Sequence, residues 1–181
     1  MMSTDHDHVV LVDEDDVPIG IAGKLDAHRR GLKHRAISAL VHNSAGAFLL
    51  QRRNFAKYHS GGLWTNACCS HPYPDESVAD AARRRLRQEM GFHCALEPLF
   101  RFSYRAAVPG DLIEDEIVHV FGGRHDGPVV PDPAEVGEWK WVALGELEAD
   151  LRARPELYTV WLRQYVGEHG GLIADWIARG R

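Results

Sequence analysis

Cys69-Ser70-His71 and Glu114-Asp115-Glu116 are the two places in this sequence where residue type and spacing together could do chemistry. On an extended chain, residues two apart share a face, so Cys69 sits beside His71 while Cys68 and Ser70 turn away. The same period aims Glu114 and Glu116 one way, just ahead of the apolar run from Ile117 to Phe121 that would hold the segment in a sheet. Two like charges held together raise one another's pKa or take a cation between them, so metal binding or proton transfer is the chemistry implied. An isolated Glu-x-Glu is more often a solvated acidic turn, and the pair gains weight only with partners.

His28 and His34 fall in the polar segment DAHRRGLKHR, where each alone reads as a surface residue. Joined to His71, Glu114 and Glu116 they make a mixed nitrogen and oxygen set. Such a set suits Mn²⁺, Mg²⁺, Fe²⁺ or Zn²⁺ and is too poor in thiolate for a structural zinc knot. Spacing alone does not bring the five together. Glu89 stands near the C-terminal end of an expected helix, where the dipole disfavours a carboxylate. Arg85, one turn earlier, is its simple partner. Glu89 also follows Ala82 and Leu86 on the apolar side, which points it inward toward a metal.

The elements that must position these residues can be read in outline. Residues 1–10 read as a loose end without period, and 11–181 as one domain, since 181 residues with 45% apolar content support a single core. VVLVDEDDVPIGIAGK reads as two short strands about an acidic turn, and DAHRRGLKHR as a polar loop. AISALVHNSAGAFLLQRR has the pattern of a β-hairpin about Asn43 to Gly46, and GGLWTNACCSH looks extended. Ser77 to Met90 is a helix, capped by Ser77 with Asp80 and stopped by Gly91. LFRFSYRAAV and EDEIVHVFGGRH form a hairpin about Pro109-Gly110-Asp111. EWKWVAL reads as a strand, and ELEADLRAR and ELYTVWLRQYV as helices separated by Pro155. The expected class is α+β, an αβα-layered domain on a mixed sheet.

Composition narrows the function. The net charge of −5 argues against nucleic acid or anionic membrane as partner, so any bound anion must meet a local basic cluster. No apolar run reaches the length of a membrane span, and three cysteines, two of them adjacent, fit a reducing compartment, so a cytoplasmic location is expected.

SHPYPDESVADAARRRLRQEMGF, from Ser70 to Phe92, resembles a degraded Nudix box, a Gly and a Glu followed by a helical R-E-x-x-E-E-x-G. Glu76, Arg84, Glu89 and Gly91 match it, while Ser70 replaces the leading Gly and Arg85 and Gln88 replace two metal-binding glutamates. Losing two carboxylates argues against hydrolysis. WTNACCSHP at Trp64 to Pro72, the arginine-rich helix ending in Glu89, then YRA at Tyr104 and EDE at Glu114 follow in the order of the type 1 isopentenyl diphosphate isomerases. The chain is similar to that family from about Val9 to Trp161. After Lys57 it reads YHSGGLW and lacks the Trp-Pro common there.

The resemblance implies a Nudix-like fold and roles for single residues. His28, His34, His71, Glu114 and Glu116 would hold Mn²⁺, Mg²⁺ or Zn²⁺. Glu89 would hold a Mg²⁺ that also meets the substrate diphosphate, with the main-chain carbonyl of Cys69 nearby. Cys69 and Glu116 would be the acid–base pair with Tyr104 beside Glu116, and Trp161 would face the cationic intermediate. Lys24, Arg53, Lys57 and Arg85 would bind the diphosphate. The implied partner is a small diphosphate, and the working unit a monomer or weak homodimer. Two other readings stay open: a Nudix hydrolase of a nucleoside diphosphate derivative, disfavoured by Arg85 and Gln88, and a non-catalytic metal-binding module, disfavoured by Cys69, Tyr104 and Glu116 together.

Overall fold

The computed structural model describes residues 7–180. In chain order these form β1 (His8–Val12), β2 (Pro18–Gly23), α1 (Lys24–Arg30), β3 (His34–His42), β4 (Ala47–Arg53), β5 (Trp64–Thr65), β6 (Cys68–Ser70) and α2 (Val78–Met90). There follow β7 (Leu96–Val108), β8 (Leu112–Arg124), β9 (Val136–Ala143), α3 (Leu144–Ala153), a 3₁₀ turn (Pro155–Leu157) and α4 (Val160–Arg179). No helix among the described residues is long and apolar enough to cross a membrane.

β3 organises the sheet. It runs parallel to β8 from His34 opposite Glu116 to His42 opposite Arg124, and antiparallel to β6, with Ser38 opposite Cys69. β7 pairs with β8 around the expected Pro109–Asp111 turn, and Tyr104 falls opposite Glu116. β9 completes the far side against β4. The mixed sheet is covered on both faces, which the alternation of β3 records. Ala36 and Leu40 join the cluster built with Tyr165, Ile173 and Trp176 of α4, while Ile37, Ala39 and Val41 belong to the clusters packed against α2. Each large buried side chain of this kind contributes roughly 1.5–3 kcal/mol by leaving water. The αβα layering expected from the sequence is the observed one.

Four local expectations are corrected. His8 to Val10 belong to β1 and Val9 and Val10 are buried, so the loose end expected for residues 1–10 does not extend that far; residues 1–6 lie outside the described residues. The segment DAHRRGLKHR, read as a polar loop, begins inside α1, whose inner side buries Ala27 and His28 and whose C-cap Gly31 takes the left-handed φ of 59°. A Cβ on Gly31 would also crowd Ile113 Cγ2 at 3.1 Å, which adds to the left-handed φ in favouring glycine at this reversal from α1 into β3. The hairpin read at Asn43 to Gly46 turns as expected, but β3 and β4 pair only at His42 and Phe48, because β8 holds one edge of β3 along its length and β6 holds the other at Ile37 to Ala39. Finally, α4 continues past Val166 to Arg179 despite Gly167, Gly170 and Gly171, with non-helical φ/ψ at His169. Buried Ile173, Trp176 and Ile177 override the weak local propensity there.

Candidate active site

The face of the sheet beneath α4 collects the residues that spacing singled out. His34 begins β3 directly beside Glu116 of β8, and Tyr104 of β7 lies across from Glu116. His71 follows β6, and His28 comes from the buried side of α1. Nitrogen or oxygen atoms of His28, His34, His71 and Glu116 lie within 4.8 Å of one another. His71 Nε2 is 2.9 Å and His34 Nε2 3.4 Å from Glu116 Oε1, and the two nitrogens are 3.2 Å apart. Glu114 joins through Tyr104, whose hydroxyl is 3.1 Å from Glu114 Oε2 and 3.1 Å from Glu116 Oε2, so its one proton serves one carboxylate at a time.

Backbone contacts set the imidazoles for ligation. Nδ1 of His28 is 2.7 Å from the carbonyl of Lys24 and Nδ1 of His34 is 2.8 Å from that of Leu32, so each ring donates there and turns Nε2 inward. His28 Nε2 is buried without a hydrogen-bond partner among the described residues, 3.7 Å from Glu114 Oε1. A lone pair facing a carboxylate in a buried site fits a cation between them. Burial opposes charge on His34, but hydrogen bonding and charge from Glu116 outweigh it and raise its pKa. Glu116 in turn stays below the usual carboxylate range, because His34 outweighs the effect of burial. Burial, then the charge of His34, pushes His71 well below the usual histidine range.

Cys69 lies beside this cluster. Its Sγ is 2.8 Å from Ser38 Oγ and its thiol donates to Asn66 Oδ1 at 3.3 Å. Burial pushes the thiol up to about 12, with Ser38 and Asn66 pulling slightly the other way, so Cys69 is protonated at neutral pH. Cys68 points to the opposite layer and packs with Leu86 and Met90. The Trp161 indole N–H donates to Thr65 Oγ1 at 2.9 Å, which fixes the ring on the cavity wall that Cys69, Tyr104, Glu114 and Glu116 also line.

Lys24, Arg53, Lys57 and Arg85 line the same cavity. Burial lowers the pKa of Lys24, and repulsion from Lys57, Arg85 and Arg53 lowers it further, which is the mark of crowded cations. The Nε atoms of Arg53 and Arg85 are buried without hydrogen-bond partners among the described residues. Arg85 also pairs with Glu89 at 2.5 Å and approaches Glu135 at 3.5 Å, and Lys57 pairs with Glu135. An anion that accepts from several of these donors would complete them.

The NUDIX domain model matches residues 32–162. The chain is 57% identical over 156 residues to isopentenyl-diphosphate Delta-isomerase 1 of Aromatoleum aromaticum, covering 86% of this chain and 88% of that protein. It is 51% identical over 166 residues to the isopentenyl-diphosphate Delta-isomerase of Burkholderia multivorans, covering 92% and 94%. The chain belongs to the isopentenyl-diphosphate Delta-isomerase family. Among solved structures it is similar to DR0079 of Deinococcus radiodurans, with a TM-score of 0.74 at 22% identity over 88% of this chain and 96% of that one. Likeness to the MutT protein of Methanosarcina mazei Go1 is lower, with a TM-score of 0.62 at 21% identity over 81% and 94%. At those identities the likeness is one of fold.

For a member of this family the α2 helix is the telling departure from the Nudix box. Arg84 grips Glu76 through Nε and Nη2, both at 2.7 Å, and reaches the carbonyl of His71 at 3.3 Å, so this matching pair holds the chain around His71 in place. Arg85 and Gln88 give no carboxylates, and Gln88 Oε1 accepts from Arg84 at 3.3 Å and Arg85 at 3.2 Å instead. Glu89 is buried as expected but sits apart from the His/Glu group, held by Arg85 and by Gln51 Nε2 at 2.8 Å. Sequence reasoning missed Gln51 and Glu135, which brace Glu89 and the basic wall. It also missed His59 as a neighbour of Glu114, 3.0 Å away; the departure at YHSGGLW was the available signal.

Proposed function

We propose that this chain interconverts isopentenyl diphosphate and dimethylallyl diphosphate by moving a double bond, with Cys69 and Glu116 as the proton-transfer pair. The observation that carries this reading is that a protonated thiol, an ionised carboxylate and a cluster of cations line one cavity. The reaction needs a proton delivered to the terminal carbon and another removed from the carbon on the far side of the branch. The resting pair holds one proton to give and one site to take, and the roles exchange in the reverse direction. Tyr104 hydrogen bonds to Glu116 and holds its carboxylate toward the cavity. Trp161 offers a fixed aromatic face to the tertiary cation, worth about 2 kcal/mol when desolvated. Lys24, Arg53, Lys57 and Arg85 bind the diphosphate.

His28, His34, His71, Glu114 and Glu116 would hold Mn²⁺, Mg²⁺ or Zn²⁺, and their donor set and inward Nε2 atoms fit such an ion. Glu89 and the carbonyl of Cys69 would hold a Mg²⁺ near the diphosphate. A divalent ion supplies positive charge that fixes the carboxylates and screens the diphosphate. The test is incubation of purified protein with isopentenyl diphosphate and Mg²⁺, following dimethylallyl diphosphate and free phosphate. Isomer without phosphate is expected; phosphate release without isomer would replace the reading by hydrolysis.

A further inference from the structure

His59 lies in the irregular segment between β4 and β5, outside the elements that carry His28, His34, Glu114 and Glu116, yet it is buried against them. Its Nε2 is 3.0 Å from Glu114 Oε1, and its ring centroid is 5.8 Å from that of His28. The atoms of His28, His59 and Glu114 lie within 4.8 Å of one another and form a second ligand group that shares His28 with the first. Glu114 Oε1 therefore faces two imidazole Nε2 atoms, at 3.0 Å and 3.7 Å. One of the two, on His28, has its proton committed elsewhere, because Nδ1 donates to the Lys24 carbonyl at 2.7 Å. A hydrogen bond cannot join that lone pair to a carboxylate oxygen, whereas a cation joins both imidazoles to it at once.

The segment is shaped for this presentation. Ser60, next to His59, adopts a left-handed φ of 52°, which non-glycine residues seldom take, and its Oγ is 3.2 Å from His59 Nδ1. Lys57 of the basic wall is two residues away on the same segment. We propose that His59 is a further protein ligand of the divalent ion, completing a fourth imidazole at the Glu114 side of the site and tying the Lys57 segment to the occupied state. This rests on the metal site proposed above. A site with four imidazoles favours Zn²⁺ and Mn²⁺ over Mg²⁺, since nitrogen donors suit the former and Mg²⁺ prefers oxygen.

The test uses the full chain stripped of metal with a chelator and measures affinity for Zn²⁺, Mn²⁺ and Mg²⁺ by chelator competition, with the visible spectrum of the Co²⁺-loaded protein as a readout of ligand number. His59→Ala should weaken Zn²⁺ about 10–100-fold and change the Co²⁺ spectrum, with Mg²⁺ affinity moving far less. His59→Gln keeps the volume and a hydrogen bond to Glu114 but lacks the imidazole, and should lose Zn²⁺ affinity to the same extent. If Gln restores wild-type affinity and spectrum, His59 only positions Glu114 and the proposal is overturned; unchanged affinity in both variants overturns it too. Loss of all Zn²⁺ binding in the unsubstituted chain would instead sink the metal site itself.

Discussion

The His/Glu end of the site and its basic end each hold buried atoms without a hydrogen-bond partner among the described residues, a lone pair in the first and N–H donors in the second. His28 Nε2 represents the first end, and Nε of Arg53 and of Arg85 the second. The first end is assembled from rigid parts: β3, β7 and β8 place His34, Tyr104 and Glu116 in one row across the sheet. The second draws Lys57 from a loop and Arg85 from α2, each held by an ion pair, and Lys24 from the start of a helix, crowded by the other cations. An unsatisfied buried polar atom costs about 1–3 kcal/mol, so neither end is complete without a partner of opposite sign. The metal-associated diphosphate proposed above would be such a partner for both, and Cys69 and Trp161 line the same cavity as the basic residues.

The sharpest test of that division is Cys69. Cys69→Ala should lower turnover about 10³-fold, the scale of a lost proton-transfer group. Cys68→Ala, one residue away but in the α2 layer, should leave turnover within a few-fold and cost about 1 kcal/mol of stability by opening a small gap. Equal losses of turnover in the two variants would remove Cys69 from the chemistry.

The two ends should then fail in different ways. Arg53→Gln removes a buried cation with a free N–H, and raises KM about 10–100-fold with a smaller change in kcat, in line with 1.5–3 kcal/mol for a hydrogen bond to a charged group. Glu114→Gln leaves KM for the diphosphate nearly unchanged but shifts the metal concentration needed for activity upward, and excess Mn²⁺ restores part of its turnover. Glu116→Gln stays inactive at every metal concentration because it keeps an oxygen ligand but cannot exchange a proton. Steady-state kinetics across a metal titration separate the three, and full rescue of Glu116→Gln by metal would move the proton-transfer role to Tyr104.

The same contrast shows what was legible in the sequence. Part of the His/Glu end follows from the strand period: Cys69 with His71, and Glu114 with Glu116, face together because alternation is local. The pairing of β3 with β8 is not local, so nothing in AISALVHNSAGAFLLQRR says that its first strand runs parallel to a segment about 80 residues on, and the nearest apolar run was the natural but incomplete partner. His28 read as a loop residue because α1 has only seven residues and its helical state depends on burying Ala27 and His28. His59 carried no period at all. Its role comes from a turn that brings it against Glu114, and only the departure from Trp-Pro marked the spot. Family resemblance supplied the basic residues, which as Arg52-Arg53 and an arginine run read locally as surface charge.

The smallest effect expected is at the scaffold that the basic end leans on. Ser77 caps α2 by accepting the backbone N–H of Asp80 at 3.1 Å, in an exposed position away from the cavity. Ser77→Ala should cost about 1 kcal/mol through the lost cap, seen as a fall of roughly 2–4 °C in Tm for a domain of this size. Fraying without the cap is confined to the first turn, whereas Arg85 and Glu89 lie about two and three turns further on and are held by Glu135 and Gln51. KM for the diphosphate and the metal requirement should therefore match the unsubstituted chain, while thermal unfolding followed by circular dichroism shows the loss. A KM that rises with the fall in Tm would mean that the start of α2 tunes the anion end, and that the arginines there depend on the whole helix rather than on their own ion pairs.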